Sequence, residues 1–300
     1  MPLLRLFVPL TLVLALACDK PTPGTPALTP PPAAIPSDEP PAPEPAPAAA
    51  AAPQEPAIAP ATPEPAPAEV AAAPSGPRKV LVLGDSLAAT GFGAMLEKRL
   101  DEHPDIECFR KAKSATGLAR PDFYDWESEA KKAVDQRKPD LVVVIMGGND
   151  GQDLTSKTGK GKRVAWKSDG WNDAYKARVA DFLSEISADG RKVLWLGLPR
   201  TGTTSFEQKL TTIREVQSQA IADFGDAGVY LDTTPFITTD AGELIDSATI
   251  GKRKAQALRE EDGIHFTMAG SEFFADKVYP EVLKVLGVED AKTEGKKPQK

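Results

Sequence analysis

The segment "PDLVVVIMGGND", residues 139–150, sets six apolar side chains in a row from Leu141 to Met146. A strand with one wet face alternates apolar and polar residues. An unbroken, largely β-branched run reads instead as a strand covered on both faces. A chain built on such a strand needs a layer of helices on each side of its sheet. "KVLVLG" (79–84) has the same character, and "RKVLWLGLP" (191–199) and "GVYLDTTPF" (228–236) follow it. "IECFRKAK" (106–113) reads as a weaker strand.

Helical spacing fills the intervals, in "AMLEKRLDEH" (94–103) and over residues 172–188, 207–224 and 268–286. Strands separated by helices imply right-handed crossovers and a parallel sheet. The expected fold class is therefore α/β: a three-layer α/β/α domain with a flavodoxin-like parallel sheet of about five strands, in the order 2-1-3-4-5. Sites in such sheets form beyond the carboxyl ends of the strands, where the strand order reverses. That points to the loops after the first three strands.

The domain occupies residues 78–288, because what precedes it cannot build a core. Residues 21–77 hold 20 of the 29 prolines and no aromatic residue, and their large aliphatics are Leu28, Ile35, Ile58 and Val70. So little apolar surface cannot offset the entropy of ordering, and residues 19–77 read as a disordered, partly polyproline-like linker. Met1 to Cys18 carries Arg5, an apolar stretch and then small residues, which is a secretory signal pattern. Its end, "LALAC", resembles the lipobox of bacterial lipoproteins, in which the cysteine is acylated; the alternative is an ordinary signal that ends in a cysteine. Acylation at Cys18 would anchor the chain to a membrane of the bacterial cell envelope and leave Cys108 without a disulfide partner. Residues 289–300 form a polar tail.

The formal charge is −7, of which Arg5, Lys20 and the seven acids between Asp19 and Pro77 account for −5. Residues 78–300 are left at −2, with no broad basic field of the kind that binds nucleic acid. The local exception is an insert after the third strand. Between Thr155 and Ser168 it carries Lys157, Lys160, Lys162, Arg163 and Lys167 and no acid. It reads either as a solvated loop or as an electropositive rim to a site.

Four short segments fall in the expected places. They are Gly84-Asp85-Ser86 after the first strand, Ser114-Ala115-Thr116-Gly117 after the second, Gly147-Gly148-Asn149-Asp150 after the third, and Asp262-Gly263-Ile264-His265 before the last helix. Taken alone, Ser86 is a helix cap, a turn residue or a nucleophile, and Asn149 is a turn residue beside Gly148. A serine hydrolase needs a serine, a histidine to take its proton, a carboxylate to orient that histidine and donors aimed at the oxyanion. The chain has only two histidines, which argues against a multi-histidine metal site. His103, in "DEHPD", reads as a solvated loop residue, and Asp85 as a brace for its turn. Trp171, Tyr175 and Arg178 lie at i, i+4 and i+7, the spacing of a packed helix stripe, with substrate contact as the alternative role.

In this order the four segments resemble those of the SGNH hydrolases, also called GDSL esterases or lipases, over about Lys79 to Pro280. "GLARPDFYDW", "WNDAYKARV" and "LREEDGIHFT" look like one bacterial branch of that superfamily. The resemblance implies Ser86 as nucleophile, His265 as general base and then acid, and Asp262 as its orienting carboxylate. It implies an oxyanion hole from the backbone N–H of Ser86 and Gly117 and the side-chain amide of Asn149, with no metal and no cofactor. The function so expected is removal of O-acyl groups, acetyl above all, from an envelope glycan or a small ester. One alternative is an O-acetyltransferase component working with a membrane-bound O-acyltransferase; another is a non-catalytic, glycan-binding scaffold lipoprotein.

Overall fold

The computed structural model describes residues 76–291. The signal segment with Cys18, the proline-rich stretch up to residue 75 and the polar tail from residue 292 lie outside the described residues.

Five parallel strands form one sheet: β1 (Arg78–Gly84), β2 (Ile106–Ala112), β3 (Leu141–Ile145), β4 (Lys192–Leu196) and β5 (Gly228–Leu231). Their order is β2-β1-β3-β4-β5, the order expected from the sequence. β1 lies between β2 and β3, with Gly84 level with Ala112 on one side and Ile145 on the other. The three strand ends therefore finish together, and their loops open side by side at the carboxyl end of the sheet.

The central strands are apolar throughout because both of their faces are covered. All five residues of β3 are buried, as are Val80, Leu81, Val82 and Leu83 of β1. Each such side chain contributes roughly 1.5–3 kcal/mol by leaving water, so an acid at Val143 would leave a charge stranded between two apolar layers. β2 and β5 are the sheet's edges and only partly buried, which explains the weaker apolar pattern of "IECFRKAK".

On one face, helix α2 (Gly91–Asp101) packs against α6 (Met268–Leu286). On the other, α3 (Trp126–Arg137), α4 (Trp171–Ile186) and α5 (Thr204–Phe224) pack in sequence. α4 stops two residues short of the expected end, because the chain turns into a short 3-10 segment, Ala188–Gly190, with Asp189 at φ 66°. A small antiparallel pair, β6 (Ser247–Ala248) and β7 (Gln256–Ala257), precedes α6, and Ile250, Leu258 and Ala269 form a second small cluster beneath it.

His103 is not the solvated loop residue expected from "DEHPD". It is 4% exposed, because the chain after α6 folds over it. Its Nδ1 accepts from the Asp105 N–H at 3.2 Å, so its Nε2 carries the hydrogen and donates to the Glu289 carbonyl at 2.9 Å.

Candidate active site

β1 ends in Gly84 because nothing larger fits: a Cβ there would stand 2.0 Å from the Ile145 carbonyl oxygen of β3. The next residue, Asp85, is buried, and its carboxylate gathers three backbone N–H groups. These are Leu87 at 3.1 Å, Gly147 at 3.1 Å and Gly148 at 3.0 Å. One side chain thus caps the turn after β1 and ties it to the loop after β3. Burial pushes the Asp85 carboxyl up to about 6, against the pull of these N–H groups. Asp85 is the brace it was expected to be.

Ser86 opens a helix of one turn, α1 (Ser86–Ala89). Thr90 breaks this helix from α2, so Ser86 does not face the dipole of a long helix. Instead α1 is fixed at its far end, where Arg110 of β2 donates from Nη1 to the Ala88 carbonyl at 2.9 Å and the Ala89 carbonyl at 3.3 Å.

His265 reaches Ser86 from the loop before α6. Its Nε2 lies 3.0 Å from Ser86 Oγ, and its Nδ1 lies 2.6 Å from Asp262 Oδ2. The other Asp262 oxygen accepts the backbone N–H of Ile264 at 2.8 Å and of His265 at 2.9 Å. Partial burial would raise the Asp262 carboxyl, but the imidazole and these two N–H groups outweigh it and hold the carboxyl down at about 2. An ionised Asp262 accepts only, so the Nδ1 nitrogen carries the hydrogen and the Nε2 lone pair faces the serine hydroxyl.

The loop bearing this pair is tied to the one after β4. Gly202 N–H donates to the Gly263 carbonyl at 2.9 Å, and Thr203 Oγ1 to the Asp262 carbonyl at 2.9 Å. The Arg259 guanidinium stacks 3.8 Å above the Phe266 ring and donates to the carbonyls of Ile264 and Arg200.

The remaining donors come from the loops after β2 and β3. Asn149 Nδ2 gives one hydrogen to the Thr116 carbonyl at 3.0 Å, which fixes the amide and leaves its second hydrogen without a partner among the described residues. The backbone N–H groups of Ser86 and Gly117 donate to no other described group. Gly117 is held by its neighbour: a Cβ there would lie 2.1 Å from Asp150 Oδ1. Beside Ser86 and His265 runs a cleft of about 150 Å³ whose walls are mainly apolar, from Leu198, Pro199, Phe206, Leu210 and Ile264.

The basic insert lies on the Gly117 side. Leu154 and Val164 bridge across its base, and Thr155 N–H donates to the Ala119 carbonyl at 3.1 Å. Lys157 is not a free charge there, since Glu127 at 2.6 Å and Asp125 at 3.4 Å pair with it. Lys160, Lys162 and Arg163 are exposed and make no ion pair among the described residues. No three His, Cys, Asp or Glu side chains among the described residues are grouped as metal ligands would be.

Sequence reasoning missed the polar groups beneath these loops. Tyr175 is buried on α4 and Arg178 half-buried beside it, and both spend their polar atoms on the site's loops. Tyr175 Oη bonds the Asp150 carboxylate at 2.7 Å, and Arg178 Nη1 donates to the carbonyls of Leu118 and Ala119 at 2.9 and 2.8 Å. Two hydrogen-bonding side chains on an otherwise apolar stripe were the available signal, because buried polar atoms require partners.

The chain is 26% identical over 222 residues to Esterase TesA of Pseudomonas aeruginosa, a match covering 69% of this chain and 89% of that protein. A crystal structure of TesA superposes with a TM-score of 0.47 at 24% identity, covering 70% of this chain and 99% of that one. A carbohydrate esterase family 3 structure from Talaromyces cellulolyticus gives a TM-score of 0.49 at 15% identity, covering 70% and 98%. The family model described as "Protein of unknown function (DUF459)" matches residues 79–281, a segment that contains every loop of the site. The chain belongs to the DUF459 family.

Proposed function

We propose that this chain is a serine esterase that removes O-acyl groups, acetyl above all, from an envelope glycan or a related ester. The observation that carries the reading is the continuous hydrogen-bonded line from Ser86 Oγ through the His265 ring to Asp262. Ser86 Oγ attacks the acyl carbon while its proton passes to His265 Nε2. The carbonyl oxygen, now an oxyanion, takes the free N–H groups of Ser86 and Gly117 and the second hydrogen of Asn149 Nδ2. The alcohol leaves with the proton from Nε2, and an acyl-Ser86 ester remains. Water, deprotonated by the same nitrogen, releases the acid and restores the serine. The acyl group lies in the apolar cleft beside Leu198 and Phe206. Lys160, Lys162 and Arg163 form a cationic rim that attracts an anionic glycan. Cys18 carries the lipid that holds the domain at the cell envelope, with the proline-rich segment as its tether.

The name of the related Pseudomonas protein supports ester hydrolysis. The test is to assay the purified domain on acetylated glycans and short acyl esters, with and without a glycan acceptor. Free acid both with and without the acceptor supports hydrolysis. Acyl transfer to the acceptor makes the protein a transferase with the same triad. No reaction with any ester rejects the enzyme reading.

A further inference from the structure

The loops that bear Gly117 and Asn149 are joined by Asp150, and the way Asp150 is held has a definite direction. Trp195, on β4, has an indole N–H and no acceptor, and it donates to Gln217 Oε1 at 3.1 Å. That fixes the Gln217 amide, so its Nε2 points the other way. There it donates to the Met146 carbonyl at 2.9 Å and to Tyr175 Oη at 3.0 Å. Having accepted from Gln217, Tyr175 directs its own hydrogen to Asp150 Oδ2 at 2.7 Å. The Asp150 carboxylate then accepts the N–H of Leu118 at 3.1 Å and of Ala119 at 2.8 Å. With Asp150 ionised, each step has one donor, and the line runs from the core strand to the loop beside Gly117.

Arg178 completes the grip. It binds the Leu118 and Ala119 carbonyls from the other side and reaches the Thr155 carbonyl as well. The two residues after Gly117 therefore have both their N–H and their C=O groups held by side chains. Trp195, Gln217, Tyr175 and Asp150 are all buried, so bulk solvent does not compete for these bonds. Burial makes the ionised Asp150 carboxylate costly, and its N–H, Tyr175 and Arg178 partners counter that cost.

We infer that Tyr175, oriented by Gln217, is a positioning residue of the oxyanion hole: through Asp150 it sets where the Gly117 N–H and the Asn149 amide stand relative to Ser86. This rests on the esterase reading above. Tyr175 touches no reacting atom. Its role is to keep two donors from different loops in register, and small displacements of such donors reduce rate while leaving ground-state binding intact.

The test compares Tyr175→Phe with Val179→Ala on the intact domain. Val179 is fully buried on the same helix and has no polar side-chain atom. Tyr175→Phe should lower kcat about 10- to 100-fold with KM unchanged, a loss of the size that misplacing a reacting group causes. Its rate of labelling by a fluorophosphonate should fall by the same factor, because the phosphonyl oxygen occupies the oxyanion position. Val179→Ala should lower the melting temperature and keep the wild-type kcat. Wild-type kcat and labelling rate in Tyr175→Phe, or an equal kcat loss in Val179→Ala, would overturn the inference. If Tyr175→Phe does not fold, Gln217→Met takes its place: it should show the same kcat-only loss to a smaller degree, and wild-type kcat would overturn the inference. A wild-type protein that the probe never labels sinks the esterase reading itself, which is a different outcome from a labelled Tyr175→Phe with unaltered rate.

Discussion

His265 Nε2 and Ser86 Oγ meet at 3.0 Å although 179 positions separate them in the chain. The sheet order brings them together: Ser86 follows β1, an inner strand flanked by β2 and β3, and the last helix packs on the same face as α2. His265→Gln should cost about 10³-fold or more in kcat for a short acyl ester, as deletions within such triads do. Asp262→Asn should give a smaller loss, with the imidazole left in the wrong tautomer. Steady-state kinetics on a p-nitrophenyl ester measure both, and wild-type rates in His265→Gln would contradict the assignment.

The Asp262 carboxyl titrates at about 2 in the folded protein, against an ordinary 3.8. A lowered carboxyl contributes stability above its unfolded value and loses it as pH falls through the folded one. Its window is therefore from about pH 4 to pH 2, and the half-exposed position of Asp262 makes the effect modest. Asp85 has the opposite sign. Burial lifts it to about 6, so its ionised form weighs on the folded state at neutral pH and is relieved as pH falls from about 6 towards 4. Melting curves of wild type and Asp262→Asn should differ at pH 6 and draw together as pH falls from about 4 to about 2. A constant gap down to pH 2 would count against the shift.

Gly117→Ala should be damaging out of proportion to one methyl group. The new Cβ would stand 2.1 Å from the Asp150 carboxylate, and that carboxylate cannot move without releasing the N–H groups of Leu118 and Ala119. Releasing a buried hydrogen-bonded group costs about 1–3 kcal/mol. A lower melting temperature together with a large kcat loss is the expected result; a variant with wild-type kcat would mean that the loop adapts freely.

Much of this was readable before any coordinates. Continuous apolar runs marked β1, β3 and β4, and the loops after β1, β2 and β3 do open side by side. The edge strand β2 was harder, since one of its sides lacks a neighbour and its pattern thins. What could not be read was pairing between distant polar groups. The sequence shows Lys157 in a stretch with no acid, but not that Glu127 of α3 lies beside it. Tyr175 and Arg178 looked like packing because period alone records which face is buried, not what each buried atom must bond. His103 failed for a related reason: nothing in "DEHPD" tells that residues after α6 will cover it.

Lys160, Lys162 and Arg163 remain exposed on the insert, and their proposed partner is an anionic polymer. Replacing all three by Gln should lower kcat/KM for an acetylated acidic glycan and spare a small neutral ester. The difference should fade in salt, since exposed charges act over ~10 Å at 0.1 M. Equal effects on both substrates would return the insert to a solvated loop.

If Ser86 is the nucleophile, a fluorophosphonate must bond to its Oγ, and mass spectrometry of the treated domain reads that bond. The predicted result is a single phosphonyl adduct on the peptide containing Ser86, absent from a folded Ser86→Ala protein that has lost esterase activity and kept its melting temperature. An adduct elsewhere, or a folded Ser86→Ala variant that still hydrolyses esters at the wild-type rate, would contradict it.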